Sequence, residues 1–278
     1  MTQQQVPAVL EPHDGSARSA LDPVYVTPPM HHLSDATRRN AWPLKNAILA
    51  RFSLQDRAAI AQFLEPIVLR ERMILQDPRG HLEYVYFIES GLVSLRIVGA
   101  GSILETAVIG HRGVIGASLL LGAHLSTHQS VVLFTGTAYR IPVEDLRSVM
   151  AECPQIREQL SRYVQALSLH CAQTGLCGVR HDREKRLATW LCLASDAFGA
   201  HVLPVTHGYL SSLLGLRRAS VTETLTRFQQ QRLLRKTRGV LQIDERKALE
   251  QKACGCYKLI SDAYASSELI ISPKERPL

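Results

Sequence analysis

The sequence predicts an α+β protein in which a small β-sandwich or barrel comes first, a long helix second and a winged helix-turn-helix last. Three observations support this fold class. Between residues 67 and 141, short apolar runs alternate with turn residues, as is typical of small antiparallel sandwiches and barrels. After Pro154, mostly apolar residues recur at alternating spacings of four and three, which indicates a long helix. Beyond Thr206, a helix, a glycine and a second helix precede two short strands.

The length of 278 residues suits about two domains, and a hydrophobic content of 46% is ordinary for a globular protein. The predicted organisation is a disordered, proline-rich tail (1–45), the barrel (46–150), the long helix (151–180), the winged helix-turn-helix (181–257) and a second tail (258–278). No run of 18 apolar residues and no secretory signal occurs. We therefore expect a cytoplasmic protein with reduced cysteines and no membrane partner.

Glycines in the barrel region are expected to mark turns between strands. The segment containing Gly91 is predicted to separate a strand at Tyr84–Ile88 from another at Leu92–Val98. In the same way, Gly136 is predicted to lie in the turn of a final hairpin.

The long helix carries a heptad seam that is sustained for about three heptads, which is the pattern of a coiled coil. Such a seam needs a partner surface, which is either the chain's own barrel or a second copy of the chain. We favour a homodimer. The residues assigned to its interface are Ile156, Leu160, Tyr163, Leu167, His170 and Thr174.

The region after residue 205 has the pattern of a helix-turn-helix. The Thr206 hydroxyl is placed to cap a helix at His207–Leu214, and Gly215 supplies the permissive backbone of a tight turn. The next helix opens with Arg217 and Arg218. Cations at a helix N-terminus are disfavoured by about 0.3–1 kcal/mol, so two of them indicate an external anion as partner. A recognition helix presents its N-terminal residues to base edges, where arginine can bond guanine.

Double-stranded DNA is therefore the predicted partner. A basic tip at residues 237–239 lies between two short strands and is suited to phosphate contacts, and the formal charge of the chain is +7. The residues assigned to DNA binding are Thr206, His207, Arg217, Arg218, Ser220, Thr222, Glu223, Arg227, Lys236 and Arg238.

The order of barrel, long helix and winged helix-turn-helix resembles the CRP/FNR family of bacterial transcription regulators. The resemblance spans residues 46–257 and is strongest at Val114-Ile115-Gly116 and at Thr206, Leu210, Gly215, Arg218 and Ser220-Val221. It implies a double-stranded β-helix (jelly-roll-like) barrel that senses a signal, and a homodimer on a two-fold-related DNA site. It also implies RNA polymerase as a partner if the protein is an activator. The family's base-reading positions correspond to Arg218, Ala219 and Glu223, of which Arg218 alone matches the family's common choice.

The barrel departs from the cyclic-nucleotide binders of this family. Those proteins hold the ribose with a glutamate that aligns with Ala117, and the cyclic phosphate with an Arg-Ser pair where this chain reads Ser126-Thr127-His128-Gln129. A buried phosphate without a guanidinium would be poorly compensated, so cyclic AMP is not expected. The positions assigned to an unknown ligand are Gly116, Ala117, Ser118, Thr127 and His128.

No cofactor is predicted. The N-terminal segment has no cysteine, so the iron–sulfur cluster of the family's oxygen-sensing branch does not carry over. Cys254-Gly255-Cys256 supplies at most half of a tetrahedral zinc site, so we interpret it as a structural or incidental pair and predict no metal site.

Two alternatives remain open, which are a cyclic-nucleotide-responsive regulator and a signal-binding module that no longer contacts DNA. An enzyme is not expected, because the sequence has no G-x-S-x-G, Walker, H-E-x-x-H or Rossmann motif.

Overall fold

The computed structural model describes Leu44–Gly99 and Ser102–Glu268. The tail predicted over 1–45 lies outside these residues up to Pro43, as does the end of the second tail beyond Glu268. The larger sheet contains β1 (Glu65–Leu69), β2 (Ile74–Gln76), β3 (Tyr84–Gly99), β4 (Ser102–Ile109), β5 (Val114–Ile115) and β6 (Gln129–Pro142). The smaller sheet contains β7 (Val202–Leu203), β8 (Leu234–Thr237) and β9 (Val240–Ile243).

The α-helices are α1 (Leu54–Ala61), α2 (Val143–Glu152), α3 (Pro154–Arg180), α4 (Arg183–Phe198), α5 (His207–Leu214), α6 (Arg218–Gln230), α7 (Arg246–Lys252) and α8 (Gly255–Ser267). Short 3-10 helices lie at Leu49–Arg51 and Ala117–Leu121. None of these described helices combines the length and the apolar composition that crossing a bilayer requires.

The larger sheet is antiparallel and confirms the predicted fold class. Its strands follow the order β1-β6-β3-β4, with β2 added to β6 and β5 added to β3. The long strands β3 and β6 pair from Tyr84 opposite Pro142 to Arg96 opposite Gln129. Phe87 and Ile88 are fully buried next to each other on β3, so both faces of this strand are covered.

The turns predicted at Gly91 and Gly136 are wrong, because both glycines lie inside continuous strands. The register of β3 on β6 shifts between Ile88 and Val93, which marks a bulge. A Cβ atom on Gly136 would lie 2.1 Å from the Ser90 carbonyl oxygen, and one on Gly91 would lie 2.6 Å from the Phe134 carbonyl oxygen. The glycines therefore permit a close approach of two strands rather than a reversal of the chain.

The predicted seam of α3 packs within the chain. Ile156, Leu160 and Tyr163 are at most 2% exposed and belong to the barrel's core cluster. The Tyr163 hydroxyl donates a hydrogen bond to the Val114 carbonyl oxygen at 2.9 Å. His170 is buried as well, and its Nδ1 lies 3.1 Å from the hydroxyl of Tyr264 on α8.

These contacts correct the assignment of the seam to a dimer interface. Ile156, Leu160, Tyr163 and His170 are covered by the chain itself and cannot also contact a second copy. Leu167 is half-buried against the same barrel cores, and Thr174 is half-buried as well. The alternative partner, the chain's own barrel together with α8, therefore accounts for this face of the helix.

The C-terminal segment also differs from the prediction, which made 258–278 a tail. Residues 255–267 form α8, which packs on α3 and places Tyr264 against Tyr163 and His170. The Tyr264 ring lies 6.2 Å from that of Tyr163, measured between centroids. Arg51 and Arg112 both pair with Glu268 at the end of this helix, at 2.5 and 2.6 Å. The helix is fixed by these distant partners, which no local pattern identifies.

The barrel and the helix-turn-helix region share one apolar core and one buried polar network. Leu92 and Phe134 of the barrel pack in the same cluster as Leu191 and Leu210. The polar network begins at the buried side chain of Glu105. Its carboxylate accepts hydrogen bonds from Ser94 Oγ of the barrel and from Trp190 Nε1 of α4.

The same network extends to α5. Arg96 Nε donates to Ser94 Oγ at 3.0 Å, and an Arg96 terminal nitrogen donates to the Tyr209 hydroxyl at 2.7 Å. The chain from Glu105 through Ser94 and Arg96 to Tyr209 thus connects the barrel to the first helix of the helix-turn-helix.

Replacement of Glu105 by glutamine tests this network, because burial raises the pKa of Glu105 to about 7. A carboxyl group with a raised folded-state pKa stabilises the fold below its unfolded pKa, and this contribution is lost as the pH rises through the folded pKa. Relative to Glu105→Gln, the free energy of unfolding of the unaltered chain should fall by roughly 3 kcal/mol between about pH 4.5 and pH 7. Urea unfolding at a series of pH values measures this difference.

The comparison between the two proteins removes the contribution of other groups. Burial lowers the pKa of His170 to about 3. The contribution of His170 to the free energy of unfolding therefore decreases as the pH drops below about 6.5, which is the opposite pH dependence to that of Glu105. An identical pH dependence in both proteins would contradict the assignment to Glu105.

Candidate nucleic-acid interface

The helix-turn-helix forms where local signals place it. The Thr206 side chain accepts a hydrogen bond from the Tyr209 N–H at 3.2 Å and so caps α5. Gly215 ends this helix in the left-handed conformation, with φ of +59°, and the Leu216 N–H bonds the Ser211 carbonyl oxygen at 2.9 Å. Helix α6 then begins at Arg218, as expected from the sequence.

The orientation of α6 follows from its apolar face. Val221, Leu225 and Phe228 are fully buried in the cluster that also contains Leu210 of α5. Their spacing of four and three places them on one side of the helix, so the opposite side and the first turn face outward. Arg217 and Arg218 are exposed, and neither has an acidic partner among the described residues.

A cationic groove lies between the starts of α5 and α6 and the β8–β9 wing. It has a volume of about 390 Å³. Its polar lining includes Thr206, His207, Arg218, Lys236 and Arg238. Burial, followed by the positive charges of Lys236 and Arg218, lowers the pKa of His207. The groove therefore combines fixed cations with hydroxyl and imidazole groups, which suits it to an anion.

Glu223 and Arg227 are engaged with α4. The Glu223 carboxylate lies 2.8 Å from Arg183 and 3.3 Å from Arg227. Arg227 also lies 2.8 Å from Glu184. A terminal nitrogen of Arg183 also lies 3.5 Å from Ser220 Oγ. Arg183 is therefore a residue in contact with α6 that the sequence analysis did not identify. Its position in an alternating charged stretch gave no indication that it would lie against α6.

The ten residues assigned to DNA binding thus occupy different environments. Five of them line the groove, namely Thr206, His207, Arg218, Lys236 and Arg238. Arg217 is the N-cap of α6, directly before Arg218. Thr222 contacts the groove indirectly, since its hydroxyl lies 3.0 Å from His207 Nδ1. Ser220, Glu223 and Arg227 face Arg183 and Glu184 instead.

The residues assigned to a barrel ligand lie on two separate segments. Gly116 is left-handed with φ of +93°, and Ala117 packs its methyl group into the barrel core rather than into a cavity. Ser118 is half-buried beside it. On the other segment, the exposed Thr127 places its hydroxyl 2.8 Å from Nδ1 of the half-buried His128.

A further polar group at this end of the barrel was missed by the sequence. Gln76 Nε2 is buried without a hydrogen-bond partner, and a Cβ atom on Gly116 would lie 2.9 Å from it. Glutamine in a short strand gives no sequence signal for such a position.

Comparison with known proteins adds the family context. Residues 185–252 match the Crp-like helix-turn-helix domain. No curated protein sequence matches the chain. The solved structure of FixK2 from Bradyrhizobium japonicum has a TM-score of 0.60 at 16% identity and covers 69% of this chain and 98% of its own.

Two other solved structures are similar. CLP from Xanthomonas campestris, described as a c-di-GMP responsive global regulator, has a TM-score of 0.55 at 15% identity over 69% of this chain and 99% of its own. A CRP/FNR-family transcriptional regulator from Thermus thermophilus has a TM-score of 0.53 at 19% identity over 68% and 98%. The chain therefore has the fold of the CRP/FNR regulators and carries a Crp-like helix-turn-helix domain, which confirms the family resemblance stated from its sequence.

Proposed function

We propose that the protein is a homodimeric, sequence-specific DNA-binding transcription regulator that binds a palindromic site and senses a signal through its barrel. The observation that carries this proposal is the position of Arg218. Its side chain is exposed at the first position of α6, has no acidic partner among the described residues and borders the cationic groove. A free guanidinium in this position can reach guanine O6 and N7 while the rest of the groove holds the DNA backbone.

Base readout and phosphate binding fall to different residues in this proposal. Arg217 and Arg218 face the major groove and read bases. Lys236 and Arg238 on the wing, with Thr206 and His207 at the start of α5, contact phosphates. The phosphate contacts fix the register of the protein on the duplex and make its affinity depend on salt.

The outward face of α3 supports the dimer. Between residues 161 and 179, the exposed positions of α3 carry no charged side chain, although they lie on a 27-residue helix. The main exposed positions recur at spacings of four and three, and they are Ser161, Gln165, Ser168, Ala172, Leu176 and Val179. Val179 is 83% exposed and Leu176 is 47% exposed. A second copy of this face would cover both side chains.

The substitution Arg218→Ala should remove discrimination at one base pair in each half-site, because its guanidinium reads a guanine. We expect the preference for the correct base to fall by about 1–3 kcal/mol, while binding to random DNA changes far less. Selection from random DNA provides the site, and fluorescence anisotropy measures both affinities. Arg70→Ala, which removes an exposed arginine of the barrel, is the matched control. Equal losses on specific and random DNA would contradict base reading.

The substitution Arg238→Ala should weaken binding to all sequences alike, because its side chain contacts a phosphate. The slope of the logarithm of affinity against the logarithm of salt concentration should become shallower by about one per subunit. Anisotropy titrations over a range of salt concentrations measure the slope, again with Arg70→Ala as control. An unchanged slope would remove Arg238 from the phosphate contacts.

The double substitution Leu176→Asp and Val179→Asp should dissociate the dimer, because it places four carboxylates in the interface. Sedimentation equilibrium measures the association, and affinity for a palindromic site should fall in parallel. Leu259→Asp changes a comparably exposed leucine of α8, which is 51% exposed, and should leave the dimer intact. A dimer that survives the double substitution would exclude this face.

A further inference from the structure

Four side chains that commonly bind metals converge where α3 ends. They are Cys177, His181, Cys254 and Cys256, and one ligand atom of each lies within 4.8 Å of all the others. The Sγ atoms of Cys177 and Cys254 are 3.5 Å apart, and Cys256 Sγ lies 3.6 Å from His181 Nδ1. The three cysteines are buried and form a small cluster of their own.

The separations suit a tetrahedral ion. With zinc–sulfur bonds of about 2.3 Å and zinc–nitrogen bonds of about 2.0–2.1 Å, neighbouring ligand atoms of a tetrahedral site lie about 3.5–3.8 Å apart. The Cys177–Cys254 and Cys256–His181 separations match this edge length. All other pairs of ligand atoms lie within 4.8 Å, so small side-chain movements would bring the four to a tetrahedral arrangement. Three cysteines and one histidine are a known ligand set of structural zinc sites.

The backbone presents the ligands in two pairs. Cys177 lies in the last turn of α3, and His181 is the C-cap of this helix. Because the two residues are four positions apart, their side chains lie on one side of the helix end. Cys254 is the N-cap of α8, and Cys256 lies in the first turn of that helix. The packing of α8 on α3 brings the two pairs together.

A neighbouring hydroxyl holds one ligand in place. Thr189 of α4 is buried, and its Oγ1 lies 3.1 Å from Cys254 Sγ. The same oxygen accepts a hydrogen bond from the Cys254 N–H at 3.1 Å. Groups of this kind orient the ligands of metal sites.

We propose that Cys177, His181, Cys254 and Cys256 bind one zinc ion in a closed tetrahedral site. Four protein ligands leave no open coordination position, so the ion has a structural role. It joins the end of α3 to α8 beside α4, at the point where the chain passes from the barrel's long helix into the helix-turn-helix domain. Zinc ligation requires thiolates, so binding releases the protons of the thiols to solvent and is favoured at higher pH.

The experiment uses the full chain and measures metal directly. We expect one zinc per chain by elemental analysis after purification under reducing conditions. Titration of the metal-free chain with Co²⁺ should give thiolate-to-cobalt charge-transfer absorption and the d–d bands of a tetrahedral site. Competition with a chelator then gives the zinc affinity.

Variants separate the four ligands from other cysteines. Cys254→Ser should weaken zinc binding by more than about 100-fold, since it removes a ligand, and Thr189→Val by about 10–100-fold. Cys171→Ser, on the same helix as Cys177 but outside the cluster, should bind zinc as the unaltered chain does.

Three results would overturn the proposal. The unaltered chain could fail to hold stoichiometric zinc against the chelator, Cys254→Ser could keep the tetrahedral cobalt spectrum, or Cys171→Ser could lose it while remaining folded. The cobalt titration of the unaltered chain decides the question even if a variant does not fold. None of these measurements depends on DNA binding, so the zinc site can fail or hold independently of the proposed regulator.

Discussion

The burial of one side of α6 is the constraint on which the rest of the interface depends. Val221, Leu225 and Phe228 are removed from water completely, and each such side chain contributes roughly 1.5–3 kcal/mol. Rotation of the helix about its axis would expose all three. The first turn, with Arg217 and Arg218, is therefore held outward by the packing of the opposite face of the helix.

Electrostatics then divides the cations of this domain into two groups. Arg183 and Arg227 are neutralised by Glu184 and Glu223 and help to fasten α6 to α4. Arg218, Lys236 and Arg238 have no such partner among the described residues and repel one another across the groove. An anion that entered the groove would relieve this repulsion, which is the physical reason for proposing a polyanion as its partner.

Besides the shared apolar core, two polar clusters attach the winged helix-turn-helix to the rest of the described chain. At one, the buried Glu105 connects Trp190 of α4 with Ser94 of the barrel, and Arg96 extends this connection to Tyr209. At the other, the cysteine–histidine cluster joins the end of α3 to α8. Both attachments consist of polar or metal-ligating groups in apolar surroundings, where a change in protonation or ligation has a large energetic effect.

The sequence by itself determined the features that depend on near neighbours. The Thr206 cap, the Gly215 turn, the bounds of α5 and the two strands of the wing require only a few consecutive residues, so their chemistry could be read directly. Tertiary structure decided the rest. It placed Gly91 and Gly136 within paired strands, and it packed the seam of α3 against the barrel. It also formed α8 where the sequence predicted a tail, and it brought Cys254 and Cys256 close to Cys177 and His181. Each of these depends on residues distant in the chain, and a local pattern specifies that a surface needs a partner without specifying which partner covers it.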